Sequence, residues 1–156
     1  MFRVPQNQAI EAVVAERNNS IINGVVYIKK SVMNSMIEHC KQEMPYEACG
    51  LLSGRNGKNE TLWKMKNIVK TPTSFAMDVN QMALTFNMMK QKVEQLTGIY
   101  HSHPTAAPYP SKNDIENTHY PKAAYFIVSF AFGTSNVKCY RIKNMKVTSL
   151  RIFLLD

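Results

Sequence analysis

The run IYHSHPTAAPYPSKNDIEN (99–117) places two histidines around one serine at the end of an apolar, strand-like stretch. In an extended chain, side chains at i and i+2 leave the same face about 6–7 Å apart, so His101 and His103 can converge on one ion. Ser102 then reads as the spacer that turns both rings to one side. Pro104, Pro108 and Pro110 each fix their own φ and restrict the preceding residue, so the loop that follows is stiff. Ser111 fits a helix N-cap, and Asp114 falls at the third helical position. A stiff loop that returns Asp114 toward the histidines would complete two nitrogens and one oxygen with a position left open. That is the donor set of a catalytic zinc site, not of a closed structural one. The same serine and aspartate also fit a capping box, which needs no metal, so the residues alone leave both readings open.

Other elements must hold these residues. Gly24 precedes a β-branched strand, GVVYI (24–28). From Ser31 the period changes: Met33, Met36, Ile37, Cys40 and Met44 recur at helical spacing, with Ser31 as cap and Pro45 just beyond the end. His39 comes late in this helix, where the helix dipole would favour its charged form. ACGLLSG (48–54) predicts a short buried strand, and Asn56–Gly57 predicts a hairpin into ETLWKMKNIV (60–69). There Lys64 and Lys66 alternate with Trp63 and Met65, as in a strand with one solvated face. A second helix is expected at about 79–95, with Met82, Leu84, Phe86, Met89, Val93 and Leu96 on its apolar side. TGIYH (97–101), the proline loop and a short helix from about 112 follow, with His119 beyond it as a surface or substrate-contacting residue. Three strand-like runs close the chain at 123–130, 136–142 and 146–155. Residues 7–17 read as a short helix and 18–20 as a turn. Interleaved strands and helices without a repeat predict an α/β or α+β sandwich on a mixed sheet.

A chain of 156 residues, 45% hydrophobic and 19% charged, has the size and composition of one folded domain. We assign that domain to 25–156 and leave 1–24 as an N-terminal extension without a role. Cys40, Cys49 and Cys139 are odd in number and lack metal-knuckle spacing, so they are expected to be reduced and buried in a cytoplasmic protein. Glu11 and Glu16 interrupt the only early apolar run, and no stretch approaches the ~20 apolar residues of a spanning helix. Nineteen basic against eleven acidic residues give a net charge of +8. This permits nucleic-acid or acidic-protein partners, but the lysines are scattered and no nucleic-acid-binding motif gathers them. An acidic protein is therefore the favoured partner, with a basic nucleic-acid-binding module as the weaker alternative. Strand edges and methionine-rich helix faces leave room for a homodimer.

The string H-S-H-P, six residues, then S-K-N-D resembles without a gap the signature H-x-H-P-x(6)-S-x-x-D of the JAMM (MPN-plus) metalloproteases. E-A-C-G-L-L-S-G (47–54) resembles the upstream segment of that family, which begins with its catalytic glutamate. The resemblance extends over about 25–150. It implies the JAMM/MPN fold, a mixed sheet between helices related to the cytidine-deaminase architecture. Deaminase chemistry itself is disfavoured, because no H-x-E with P-C-x-x-C is present. By the same resemblance His101, His103 and Asp114 would hold Zn²⁺, Glu47 would be the general base, and Ser111 would hydrogen-bond the reacting oxygen. Cys49 matches the family's cysteine and is expected to be a packing residue. The chain lacks the long insertions of eukaryotic deubiquitinases and resembles the compact bacterial branch. This implies a peptidase that cleaves after the Gly-Gly tail of a ubiquitin-like or sulfur-carrier protein. Some relatives lack the ligands and serve as non-catalytic binding scaffolds; the presence of all five positions here weighs against that reading.

Overall fold

In the computed structural model, which describes residues 21–156, period-two segments pair into one sheet and two apolar helical stripes cover its faces. The expected helix at 7–17 and turn at 18–20 lie outside the described residues. In chain order the elements are β1 (Ile21–Ile22), β2 (Val25–Lys29), α1 (Lys30–Glu43), β3 (Cys49–Gly54), β4 (Thr61–Met65) and α2 (Val79–Gln91). Then follow β5 (Gln95–His103), α3 (Lys112–Glu116), β6 (Ala124–Ser129), β7 (Asn136–Lys143) and β8 (Lys146–Leu155). The strands are ordered β1-β2-β8-β7-β6-β5-β3-β4, parallel at β2/β8 and β5/β6 and antiparallel elsewhere. The mixed α+β sandwich is as expected.

Alternation along the central strands divides the core in two. On one face Tyr100, Phe126 and Val128 pack with Val32, Met33, Met36 and Cys40 of α1. On the other, Ile99, Tyr125 and Ile127 pack with Met82, Phe86 and Met89 of α2. His101 and His103 continue the Ile99 row, so they emerge on the α2 side of β5. Asn59, in the β3–β4 connection, accepts from Lys29 N at 3.1 Å and donates to the Tyr27 carbonyl at 2.9 Å. Since four strands separate β2 from β3 in the sheet, this stitch requires the sheet to curl.

Local turn chemistry explains the hairpin: Asn56 (φ 55°) and Gly57 (φ 73°) both take the left-handed region that a tight hairpin turn demands. Gly50 has a different reason. It pairs with Tyr100 across β3 and β5, and a Cβ there would run into the Tyr100 ring. The tyrosine crosses over the glycine to place its hydroxyl 2.7 Å from His39 Nδ1 of α1.

Several expected boundaries move. α1 begins at Lys30 with Lys29 at its N-cap and no side-chain cap, so Ser31 lies inside the first turn; Met44 lies past the end and is exposed. α2 ends at Gln91 because Val93 turns to φ 56°, and Leu96 belongs to β5. Their spacing continues the helical period by coincidence, whereas Val93 and Leu84 are solvent-exposed. β5 runs through His103, so both histidines are strand residues. His39 is buried against Tyr100, and desolvation pushes its imidazole pKa down despite Glu43. A buried hydrogen bond therefore accounts for it in place of the helix dipole. No helix among the described residues is long and apolar enough to cross a membrane.

Candidate metal centre

The site forms where the end of β5 meets two segments far apart in sequence. His101 Nε2 and His103 Nε2 stand 3.1 Å apart, and Asp114 Oδ2 lies 3.0 Å from the first and 3.2 Å from the second. His101 stacks on Phe75 at a centroid distance of 4.7 Å. His103 Nδ1 donates to the Ala107 carbonyl at 2.8 Å, which fixes its tautomer and leaves the Nε2 lone pair facing inward. The proline loop is stiff for more reasons than its prolines. Ser129 Oγ donates to the Ala106 carbonyl at 2.6 Å, and the Tyr140 hydroxyl donates to that of Pro108.

Asp114 reaches the histidines through the cap of α3. Ser111 N donates to Asp114 Oδ2 at 2.8 Å, and Asp114 N donates to Ser111 Oγ at 3.1 Å. The capping box is formed, and it aims the carboxylate at both imidazoles, so the two readings left open by the sequence do not exclude each other. Burial alone would raise the Asp114 pKa, but the histidines and the Ser111 N–H hold it well below the usual carboxylate range. For His103, burial opposes the charged form, and the Asp114 carboxylate and Ala107 carbonyl outweigh it, so its pKa is raised.

Glu47 comes from the segment between α1 and β3. Its N–H donates to the Thr71 carbonyl and its own carbonyl accepts from Asn67 Nδ2, both at 2.9 Å. The side chain is 2% exposed, with Oε1 4.0 Å from His103 Nε2 and Oε2 without a hydrogen-bond partner among the described residues. Desolvation pushes its pKa up to about 7, with His101 and His103 pulling the other way. Cys49, beside His101 in the β3–β5 register, is fully buried and its thiol pKa is pushed up, which suits packing and not a thiolate. Cys40 and Cys139 are likewise free and buried. His119 lies on the surface.

Ser102 does more than space the histidines. Its Oγ accepts from Ala48 N at 2.8 Å and its N–H donates to the Ala48 carbonyl at 3.0 Å, which ties the Glu47 segment to β5. Ser102→Ala leaves the buried Ala48 N–H without its acceptor, and urea unfolding should show a loss of about 1–3 kcal/mol. Phe75, Asn67 and Ala107 also support the site, and none carries a periodic signal in the sequence.

These donors fit a small cation. Bonds of ~2.0–2.2 Å to a tetrahedral ion put neighbouring donors roughly 3.3–3.6 Å apart, close to the spacing of the imidazole nitrogens and the aspartate oxygen. Glu47 adds a ligand-capable oxygen within 4.8 Å of both histidines. The orphaned Oε2 is the other half of the fit, since a buried carboxylate oxygen is costly without a proton or cation to face.

Known proteins resemble this chain over most of its length. The family described as prokaryotic homologs of the JAB domain matches residues 29–143. The chain belongs to the prokaryotic JAMM/MPN family. A Mycobacterium tuberculosis JAMM relative, CysO-cysteine peptidase, is 33% identical over 107 residues, spanning 67% of this chain and 73% of the relative. The desampylase of Pyrococcus furiosus is 31% identical over 70 residues, 45% of this chain and 50% of that protein. A solution structure from Desulfitobacterium hafniense superposes with a TM-score of 0.75 at 28% identity, over 85% of this chain and 93% of that one. The mixed sheet between helices is thus the JAMM/MPN fold, and this JAMM chain is a hydrolase.

Proposed function

We propose that residues 25–156 form a zinc-dependent peptidase that cleaves the amide bond after the C-terminal Gly-Gly of a ubiquitin-like or sulfur-carrier protein. The observation that carries the reading is the buried Glu47 carboxylate, whose Oε2 has no hydrogen-bond partner among the described residues, beside two imidazole nitrogens and one aspartate oxygen that converge. His101, His103 and Asp114 would hold the ion. When bound, zinc supplies the Lewis acid that makes water nucleophilic near neutral pH. Glu47 accepts the water proton on its free oxygen and delivers it to the leaving amine; burial poises it for this by raising its pKa to about 7. Ser111 Oγ, while accepting from Asp114 N, keeps its own O–H to donate to the developing oxyanion. The substrate class is supported by the names of the two relatives, a CysO-cysteine peptidase and a desampylase.

The test is incubation of zinc-loaded protein with ubiquitin-like carriers from the same genome, each extended beyond Gly-Gly, read by intact mass. Loss of the extension is expected. Wild-type protein that holds no zinc after metal-replete expression, or carriers that all stay intact, would overturn the reading.

A further inference from the structure

A second polar feature lies outside the metal centre. Between the end of α1 and β4, a cleft of about 400 Å³ is lined by Lys64, Lys66 and Lys70 together with Tyr46, Asn67 and Glu43. Among the described residues none of the three lysines forms an ion pair. Lys70 lies over the Tyr46 ring at 5.4 Å, and Glu43 faces His39 at 3.8 Å. Among the described residues the cleft therefore carries three lysines against one glutamate, a net positive charge.

Two further observations give the cleft a use. First, it is built on the residues that hold Glu47. Tyr46 precedes the glutamate, and Asn67 grips the Glu47 carbonyl while its Oδ1 accepts from Val69, Lys70 and Ala76 N–H groups at 3.2 Å each. The wall of the cleft therefore borders the segment that carries Glu47. Second, the same loop exposes apolar side chains, Ile68 (51%) and Val69 (42%). Apolar residues beside a basic rim occur at protein interfaces, where charge steers encounter and apolar contact holds.

We infer that this surface docks the folded body of the substrate protein through a cluster of its acidic residues, with Lys64, Lys66 and Lys70 as the residues that select it. The identity of that partner rests on the Gly-Gly peptidase reading; the docking surface itself does not. The chain has another basic group, Arg141, Lys143 and Lys146, around a cavity of about 370 Å³. That group sits at the far end of the eight-residue β7, roughly 23 Å along the strand from Asn136, which joins through Ser129 to His103. It serves as the control.

The probe is a fluorescently labelled acidic ubiquitin-like protein ending in Gly-Gly, titrated by anisotropy into zinc-loaded Glu47→Gln protein so that no turnover intervenes. Adding Lys64→Glu and Lys66→Glu should weaken binding roughly tenfold and flatten its salt dependence, mostly through the association rate. Adding Lys143→Glu and Lys146→Glu, an equal change in net charge, should leave it unaltered. In the active enzyme the same reversal at Lys64 and Lys66 should raise KM for the whole carrier, with no such rise for a peptide of its last residues. Equal weakening by both pairs, no weakening by the first, or no binding of the probe would overturn the docking surface. A carrier that binds through the cleft and is never cleaved would instead sink the peptidase reading and leave the surface standing.

Discussion

Glu47→Gln protein should bind zinc at wild-type stoichiometry and yet turn over carrier slower by about 10²–10⁴, the usual contribution of a positioned acid–base group. The substitution keeps the shape and the backbone bonds to Thr71 and Asn67 while replacing the basic carboxylate by an amide that cannot take up the proton. His101, His103 and Asp114 are untouched, so metal analysis by mass spectrometry separates a lost base from a lost metal. A second readout follows from the raised pKa. A carboxyl whose folded pKa exceeds its unfolded value stabilises the fold at low pH and loses that contribution as pH rises through the folded pKa. For Glu47 the window runs from its ordinary range to about 7. Glutamine cannot ionise, so in metal-free protein the variant should gain on the wild type as pH rises across this window. Urea midpoints at either end would measure it. Wild-type turnover by the variant would remove Glu47 from the mechanism.

What the sequence could tell depended on how local each cause was. The hairpin at Asn56–Gly57 was legible because positive φ is a property of two residues, and the strand ahead of His101 because an apolar run is written along the chain, although that strand extends through His103. The path from Pro104 to Asp114 was legible because a cap and a stiff loop act over a few positions. Glu47 was not readable by physics alone; one carboxylate among eleven acidic residues becomes special only when the α1–β3 segment is tied to β5. That tie is made by Ser102 across the sheet, and a contact between positions 48 and 102 leaves no periodic trace. Gly50 and His39 were opaque for the same reason, since both answer to the Tyr100 side chain. The overshoot of α2 past Gln91 is the converse case: Val93 and Leu96 kept the helical spacing while the backbone had already turned.

Asp114 is the residue whose replacement should be felt in both metal and fold, and two variants separate these. In Asp114→Asn the side chain still offers an oxygen to Ser111 N, so the cap of α3 survives while the negative charge between the imidazoles is gone. In Asp114→Ala the charge and the acceptor for Ser111 N–H are both lost, and only the Asp114 N–H to Ser111 Oγ half of the cap remains. Loss of outer partners alone typically weakens metal sites 10–100-fold, so loss of a ligand should weaken zinc binding by at least about 100-fold in both variants. The cap adds about 1 kcal/mol of destabilisation in the alanine variant alone, visible in metal-free protein. Thermal unfolding with and without chelator reads the two effects together. A ligand that binds only the folded state stabilises it by ~4 kcal/mol at a thousandfold excess over Kd, so chelation should lower the wild-type Tm markedly. The same chelator should barely move either variant, because little zinc is there to remove. A chelator-induced drop in Asp114→Ala equal to that of the wild type would mean that the ion is held without this carboxylate, and Asp114 would be left as a helix cap.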